Sequence, residues 1–213
     1  MTSSPAQAPP AAAEAVFGAA LPQAVRYAEL LAGAGVERGL IGPREVDRLW
    51  DRHLLNCAVL APLLPASGIV LDLGSGAGLP GIVLAMLRPD LPVILVDATR
   101  RRVDFLEEAI AELGLDRVST RWTRAEQLNG QIHVETVVAR AVAPLEKLIP
   151  WSVALLTRTG QLLALKGERA AQELKDAKPL LGRLALTGEL VPCGDGILVE
   201  PTMVVRVRRK AAK

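Results

Sequence analysis

Ile69-Val70-Leu71-Asp72-Leu73-Gly74-Ser75-Gly76-Ala77-Gly78-Leu79-Pro80-Gly81 runs from an apolar strand into a glycine-rich turn, and a second apolar run ends in Asp97. Glycines at a strand-to-helix turn let backbone approach a ligand where a side chain would collide, and an acidic residue one βαβ unit later suits a ribose diol. The pattern predicts a nucleoside-cofactor site.

Gly76-Ala77-Gly78-Leu79-Pro80-Gly81 also satisfies the dinucleotide fingerprint. A pyrophosphate, however, needs N–H donors at the helix start, and Pro80 has none to give. The extra Gly74 and the carboxylate of Asp97 better suit a ligand with a ribose and no phosphate, and S-adenosylmethionine is one. Its ribose hydroxyls can donate to Asp97 while its amino-acid end lies along the backbone of Gly74, Gly76 and Gly78. A dinucleotide is the alternative. Asp72 reads as a strand-end residue that satisfies loop N–H groups or as a direct ligand contact.

Outward from the loop, 69–73, 93–97, 117–122, 134–139 and 161–166 read as strands alternating with amphipathic segments. That alternation predicts a mostly parallel sheet with helices on both faces. Val103, Leu106, Ile110 and Leu113 repeat at helical spacing and Gly114 stands at the C-cap position. The stretches 184–191 and 202–208 read as an antiparallel C-terminal addition, joined through Cys193-Gly194-Asp195-Gly196 by a hairpin-like connection whose length the sequence leaves open. The expected fold is α/β, of the class I, Rossmann-like S-adenosylmethionine-dependent methyltransferase type.

Upstream, apolar residues recur at helical intervals on either side of the break at Gly39-Leu40-Ile41-Gly42-Pro43, which predicts an N-terminal helical cap. The expected division is a flexible tail over 1–13, the cap over 14–64, the methyltransferase domain over 65–208 and a basic tail over 209–213. The 213 residues are half apolar, enough for a full core, and the net charge of +2 says little about partners. Arg100-Arg101-Arg102 and Arg206-Val207-Arg208-Arg209-Lys210 concentrate the basic charge locally. Cys57 and Cys193 match no metal-ligand spacing, so no metal is expected, and a reducing cytoplasmic setting is. No segment suits membrane crossing, because Pro62, Pro65 and Gly68 interrupt the longest apolar run.

Glu126, after the third strand, can accept from an adenine amino group. Arg140 ends the fourth strand and is placed to meet an anion or a carbonyl. Arg52, Arg100, Arg101, Arg102 and Lys166 are the candidate RNA contacts, each with a solvated or structural role as its alternative. His53 reads as a packing residue more readily than a catalytic one, and Trp50, Trp122 and Trp151 read as core.

Trp50-Asp51-Arg52-His53, the glycine loop through Leu79-Pro80-Gly81, Arg100 to Leu106, Ala139-Arg140-Ala141 and Leu165-Lys166-Gly167 together resemble the RsmG (GidB) family, over roughly residues 25–207. The resemblance implies transfer of a methyl group from S-adenosylmethionine to N7 of one guanine in a decoding-site loop of 16S ribosomal RNA. It implies cofactor positions at Gly74, Leu79, Ala125, Glu126 and Arg140, and 16S rRNA or the small subunit as partner of a monomeric enzyme. Asn56-Cys57, Gly39-Leu40-Ile41 and Glu200-Pro201-Thr202 depart from the family pattern, which puts RNA contacts borrowed at those places in doubt. A guanine N7 has a free lone pair, so no general base is expected and the catalytic residue is unknown. A methyltransferase of another substrate and a non-catalytic ribosome-assembly factor are the competing functions.

Overall fold

A computed structural model describes residues 7–210 of the chain. β1 (Val70–Leu73), β2 (Val93–Asp97), β3 (Val118–Trp122), β4 (Val134–Arg140), β5 (Leu156–Leu165), β6 (Leu186–Cys193) and β7 (Thr202–Arg209) form one seven-stranded sheet. Their order is β3-β2-β1-β4-β5-β7-β6. Strands β1 to β5 pair in parallel, while β7 runs antiparallel to both β5 and β6. The expected mixed sheet is present.

The central strands read as unbroken apolar runs because both faces are covered. In β1 the pleat sends Val70 into the cluster under the helical cap and Leu71 and Leu73 into the opposite one. The cap comprises α1 (Ala11–Phe17), α2 (Leu21–Leu30) with its π-helical extension Leu31–Gly35, and a run through Pro43–Arg48, Leu49–Leu55 and α3 (Asn56–Ala58). It shares its core with α4 (Gly81–Leu87) and α5 (Arg100–Leu113), through Leu31, Trp50, Leu54, Ile82 and Phe105 among others. On the other face lie α6 (Leu145–Val153), α7 (Ala170–Asp176) and α8 (Lys178–Arg183). Gly114 ends α5 in the left-handed conformation at φ 61°, its N–H returning to Ala111 O and Ile110 O.

Three boundaries differ from expectation. α1 begins inside the segment read as tail, since Ala13 and Phe17 are buried and Phe17 packs edge-on against Trp50 with ring centroids 6.2 Å apart. Residues 1–6 of that tail and 211–213 of the basic one lie outside the described residues. β5 starts at Leu156, not at 161, because the polar Thr157-Arg158-Thr159 stretch hides the strand's first half. β6 runs over Leu186–Cys193 and not 184–191, and the link to β7, of open length in the sequence, extends from Gly194 to Pro201 because Ile197 and Leu198 fold back onto the core.

Chain connections leave β1 toward β2 and leave β4 toward β5 in opposite directions, although β1 and β4 are neighbours. Their carboxyl ends therefore open a crevice at the switch point. The glycine loop and Arg140 both lie there.

Candidate functional site

The loop is held from below. Gly74 N and Ser75 N both donate to Val96 O, at 2.8 and 2.9 Å, and the Ser75 hydroxyl donates to Asp72 O at 2.9 Å. Asp72, fully buried, accepts Gly81 N–H at 2.9 Å through Oδ2, and a Cβ on Gly81 would come within 2.7 Å of that oxygen. Asp72 is thus a loop anchor, not a ligand contact. Burial pushes its carboxyl up to about 7 even though the Gly81 N–H favours the charged form. From the cap, the Tyr27 hydroxyl donates to Ala77 O at 2.6 Å.

The start of α4 has little to offer a phosphate. Pro80 has no N–H, Gly81 N–H is taken by Asp72 and Ile82 N–H by Gly78 O. A dinucleotide pyrophosphate is therefore disfavoured on geometry as well as on sequence.

Between the ends of β1, β2 and β3 lies a cleft of about 240 Å³, lined by Gly74, Asp97, Ala125 and Glu126, with Val142 and Trp151 closing its far wall. Asp97 is 3% exposed; Oδ2 accepts Gly76 N–H at 3.0 Å and Oδ1 accepts Thr99 N–H at 2.8 Å. A carboxylate offers about four lone-pair sites; Gly76 N–H, Thr99 N–H and Arg102 at 3.3 Å use three of them, which leaves one for a ribose hydroxyl and a second if the exposed Arg102 swings away. A Cβ on Gly76 would find no atom nearer than 3.9 Å, so the backbone there is open to a ligand. With an acidic edge at Asp97 and Glu126, apolar walls and an accessible glycine backbone, the cleft fits S-adenosylmethionine. Gly76, Gly78 and Leu79 lie outside its lining: Gly76 is tied to Asp97 beside it, Gly78 is pressed against Ile82 and Tyr27, and Leu79 is buried in the core under the cap.

Arg140 lies in an adjoining cleft of about 520 Å³ that it shares with Arg52, Asn56 and Lys166. Its guanidinium turns toward the cap and donates to Arg52 O at 3.2 Å, to Cys57 Sγ at 3.3 Å and to Nδ1 of His53. Arg140, expected at the cofactor, lies outside the lining of the first cleft, and its guanidinium is spent on the cap. Since Nδ1 accepts from Arg140, the neutral His53 ring carries its proton on Nε2 and donates it to Glu45 Oε2 at 2.8 Å. Burial, then the Arg140 charge, push His53 down to about 4. His53 is a strut between the cap and β4, as its packing alternative held.

Lys166 departs from its expected role as an RNA contact. Its side chain is 8% exposed and bonds Glu173 Oε2 at 2.9 Å and Ala143 O, while the same Glu173 oxygen accepts Leu145 N–H at 3.0 Å. Burial of an ammonium requires such pairing. Lys166 fixes the loop after β4 and offers little charge to RNA.

The Arg100–Arg102 run is divided. Arg102 reaches Asp97 Oδ2 at 3.3 Å, Arg100 pairs with Asp104 at 2.7 Å, and Arg101 and Arg52 are exposed, Arg52 lying 3.4 Å from Glu45. Tyr27, Glu45, Val142 and Glu173 were not singled out from sequence; only Tyr27, on the buried stripe of a helix, left a signal there.

Two buried groups make opposite contributions to stability against pH. For His53 the folded value lies below the ordinary 6.5, so stability is full above about 6.5 and is lost as pH falls toward about 4. Asp72, raised from 3.8 to about 7, contributes fully below 3.8 and loses that contribution as pH rises toward about 7. The two slopes oppose one another between pH 4 and 6.5. His53→Gln is therefore expected to unmask a fall in unfolding free energy as pH rises through this window, and Asp72→Asn a rise. Denaturant titrations across the range check both; identical pH slopes in the two variants would contradict the pairing.

Against known proteins, the chain matches the family model described as rRNA small subunit methyltransferase G over residues 20–193. It is 54% identical over 200 residues to the ribosomal RNA small subunit methyltransferase G of Thermobifida fusca, covering 93% of this chain and 84% of that protein. Among solved structures, a ribosomal protein L11 methylase from Lactobacillus delbrueckii subsp. bulgaricus superposes with a TM-score of 0.56 at 18% identity, covering 73% of this chain and 77% of that one. A SAM-dependent O-methyltransferase from Thermotoga maritima gives a TM-score of 0.57 at 14% identity, covering 74% and 66%. At such identities the two structures speak to fold alone, and the fold is that of Rossmann-like methyltransferases.

Proposed function

The chain belongs to the rRNA small subunit methyltransferase G family, and from that premise we propose that it methylates N7 of one guanine in a decoding-site loop of 16S ribosomal RNA. It is an S-adenosylmethionine-dependent methyltransferase of ribosomal RNA; the guanine, the atom and the 16S molecule are our reading. The bound donor supplies an electrophilic methyl group. Asp97 and Glu126 would hold its ribose and adenine edges, the backbone of Gly74 and Gly76 would meet its amino-acid end, and Val142 and Trp151 keep the cleft apolar. Gly78 and Leu79 act from beneath the loop. Arg140, held by His53, borders the cleft where the target base enters.

The observation that carries the choice of N7 is negative in character but specific. Among the described residues, the imidazole and carboxylates around the second cleft are committed: His53 to Glu45 and Arg140, Glu173 to Lys166 and Leu145 N–H. An exocyclic amine or a hydroxyl must lose a proton to react, whereas N7 presents a lone pair and needs only alignment. We read the enzyme as a monomer, without a metal, acting on 16S rRNA or the small subunit. No helix of the described residues is long and apolar enough to cross a membrane.

Incubation with methyl-labelled donor and small subunits lacking the modification is expected to label a single 7-methylguanosine in 16S rRNA. Label at another atom or nucleotide would remove the N7 reading, and donor binding without transfer would favour an assembly factor.

A further inference from the structure

The chain has only three Trp, one Tyr and two Phe. Trp50, Tyr27, Phe17 and Phe105 are buried and Trp151 is half-buried, but Trp122 is 58% exposed. Its expected place in the core is thus corrected by the structure. Trp122 ends β3 at the ligand-binding edge of the sheet, opposite Asp97 in register. Its ring is fixed: the indole N–H donates to Ala98 O at 3.1 Å, and the Arg100 guanidinium sits 5.4 Å from the ring centroid. Arg100 is in turn held by Asp104 and Glu107. Arg101 and Arg124 are also exposed and lie beside Arg100 and Trp122 in sequence, whereas Arg121 alternates to the other face of β3.

A large aromatic held in place in solvent, with an arginine against its ring, loses almost no conformational freedom on binding. Single-stranded RNA is recognised by stacking unpaired bases on such platforms, with arginines beside them meeting phosphates. Resting on the reading of the chain as an rRNA methyltransferase, we propose that Trp122 is a stacking platform for an unpaired nucleobase of the RNA substrate. The base is not the target. Arg140, on β4, marks the target cleft, and β1 and β2 separate it from β3, a lateral span of roughly 15 Å at the usual strand spacing. The platform therefore holds a nucleotide some way along the strand, on the far side of the cofactor cleft, and orients the loop that presents the guanine.

Trp122→Leu keeps an apolar side chain and removes the π-face; Trp122→Phe keeps a smaller face. With unmethylated 16S rRNA as substrate, Trp122→Leu is expected to raise KM for RNA by about 5- to 150-fold, the range of one base–aromatic stack. Trp122→Phe should recover most of that loss, and the affinity for S-adenosylmethionine by calorimetry should change less than about twofold in both. In the wild type, oligoadenylate should quench a component of tryptophan emission that is missing in Trp122→Phe. An unchanged KM in folded Trp122→Leu, or a loss confined to donor binding, would overturn the platform; so would a KM change seen with subunits but absent with protein-free rRNA, which would assign Trp122 to a ribosomal protein. Failure of the wild-type protein to methylate both protein-free 16S rRNA and small subunits would instead strike the underlying functional reading, and where only subunits are methylated the same KM comparison is made on them, so the two failures are distinct.

Discussion

Asp97→Ala is expected to weaken S-adenosylmethionine binding by about 3 kcal/mol, or roughly 150-fold, by isothermal titration. Two losses combine. The variant removes the charged acceptor available to the ribose, and it releases Gly76 N–H and Thr99 N–H, which Asp97 holds at 3.0 and 2.8 Å. Gly76 sits at φ 59° with open space where its Cβ would be, so its own N–H loses its partner even though Ser75 and Ala77 on either side stay tied to Val96 O and the Tyr27 hydroxyl. Asp97→Asn retains an amide oxygen for one N–H and should lose about tenfold. Arg102→Gln should cost a few-fold because Arg102 touches the same carboxylate, while the exposed Arg101→Gln should leave donor affinity unchanged. A folded Asp97→Ala protein with wild-type affinity would falsify the ribose assignment.

The contrast between Arg101 and Arg102 illustrates what the sequence leaves open. Three adjacent arginines opening a helix look equivalent in one dimension, yet the helical turn aims each differently, and only folding brings Arg102 to the end of β2. Lys166 makes the same point from the opposite direction. Its position at the end of β5 was legible, but its partner Glu173 lies on α7, and no local pattern announces a pair that forms only when the helix docks. The same holds for Arg140, whose three partners come from the cap more than eighty positions away.

What was legible rests on short-range rules. The strand–glycine–helix transition, the 3–4 spacing of Val103, Leu106, Ile110 and Leu113, and the left-handed Gly114 are each fixed by neighbours within a few residues. So β1, β2, β4 and α5 fall close to their expected places. The misses occurred where side chains decide burial at a distance. Ala11 to Ala13 has the composition of a tail and joins the helix whose Phe17 packs on Trp50; the run after Cys193 opens like a turn, of a length the sequence leaves open, and Leu198 returns to the core. Trp122 was misassigned for a related reason: at the end of an edge strand the period-2 pattern says which face a residue takes, but not whether anything covers that face.

Replacing the target guanine by 7-deazaguanine is expected to abolish methyl transfer while leaving RNA binding within about twofold of the unmodified substrate, since the exchange removes one lone pair and little shape. The companion expectation is a single-turnover rate, at saturating donor, that is nearly flat from about pH 6 to 8. Its basis is the state of the groups near the second cleft. His53 has been driven down to about 4 and spends its Nε2 proton on Glu45 and its Nδ1 lone pair on Arg140, so it is neutral and unavailable throughout that range. Asp72 does change charge near pH 7, but it is sealed beneath the loop on Gly81 N–H and touches no reacting atom, so its titration should alter donor affinity and stability and not the chemical step at saturation. A log-linear rise in rate with pH would reveal a proton that must leave before transfer, and methylation of the 7-deaza substrate would place the reacting atom elsewhere on the base. The first result would require a base near Arg140, at a point where the described carboxylates and imidazole are already bound to other partners.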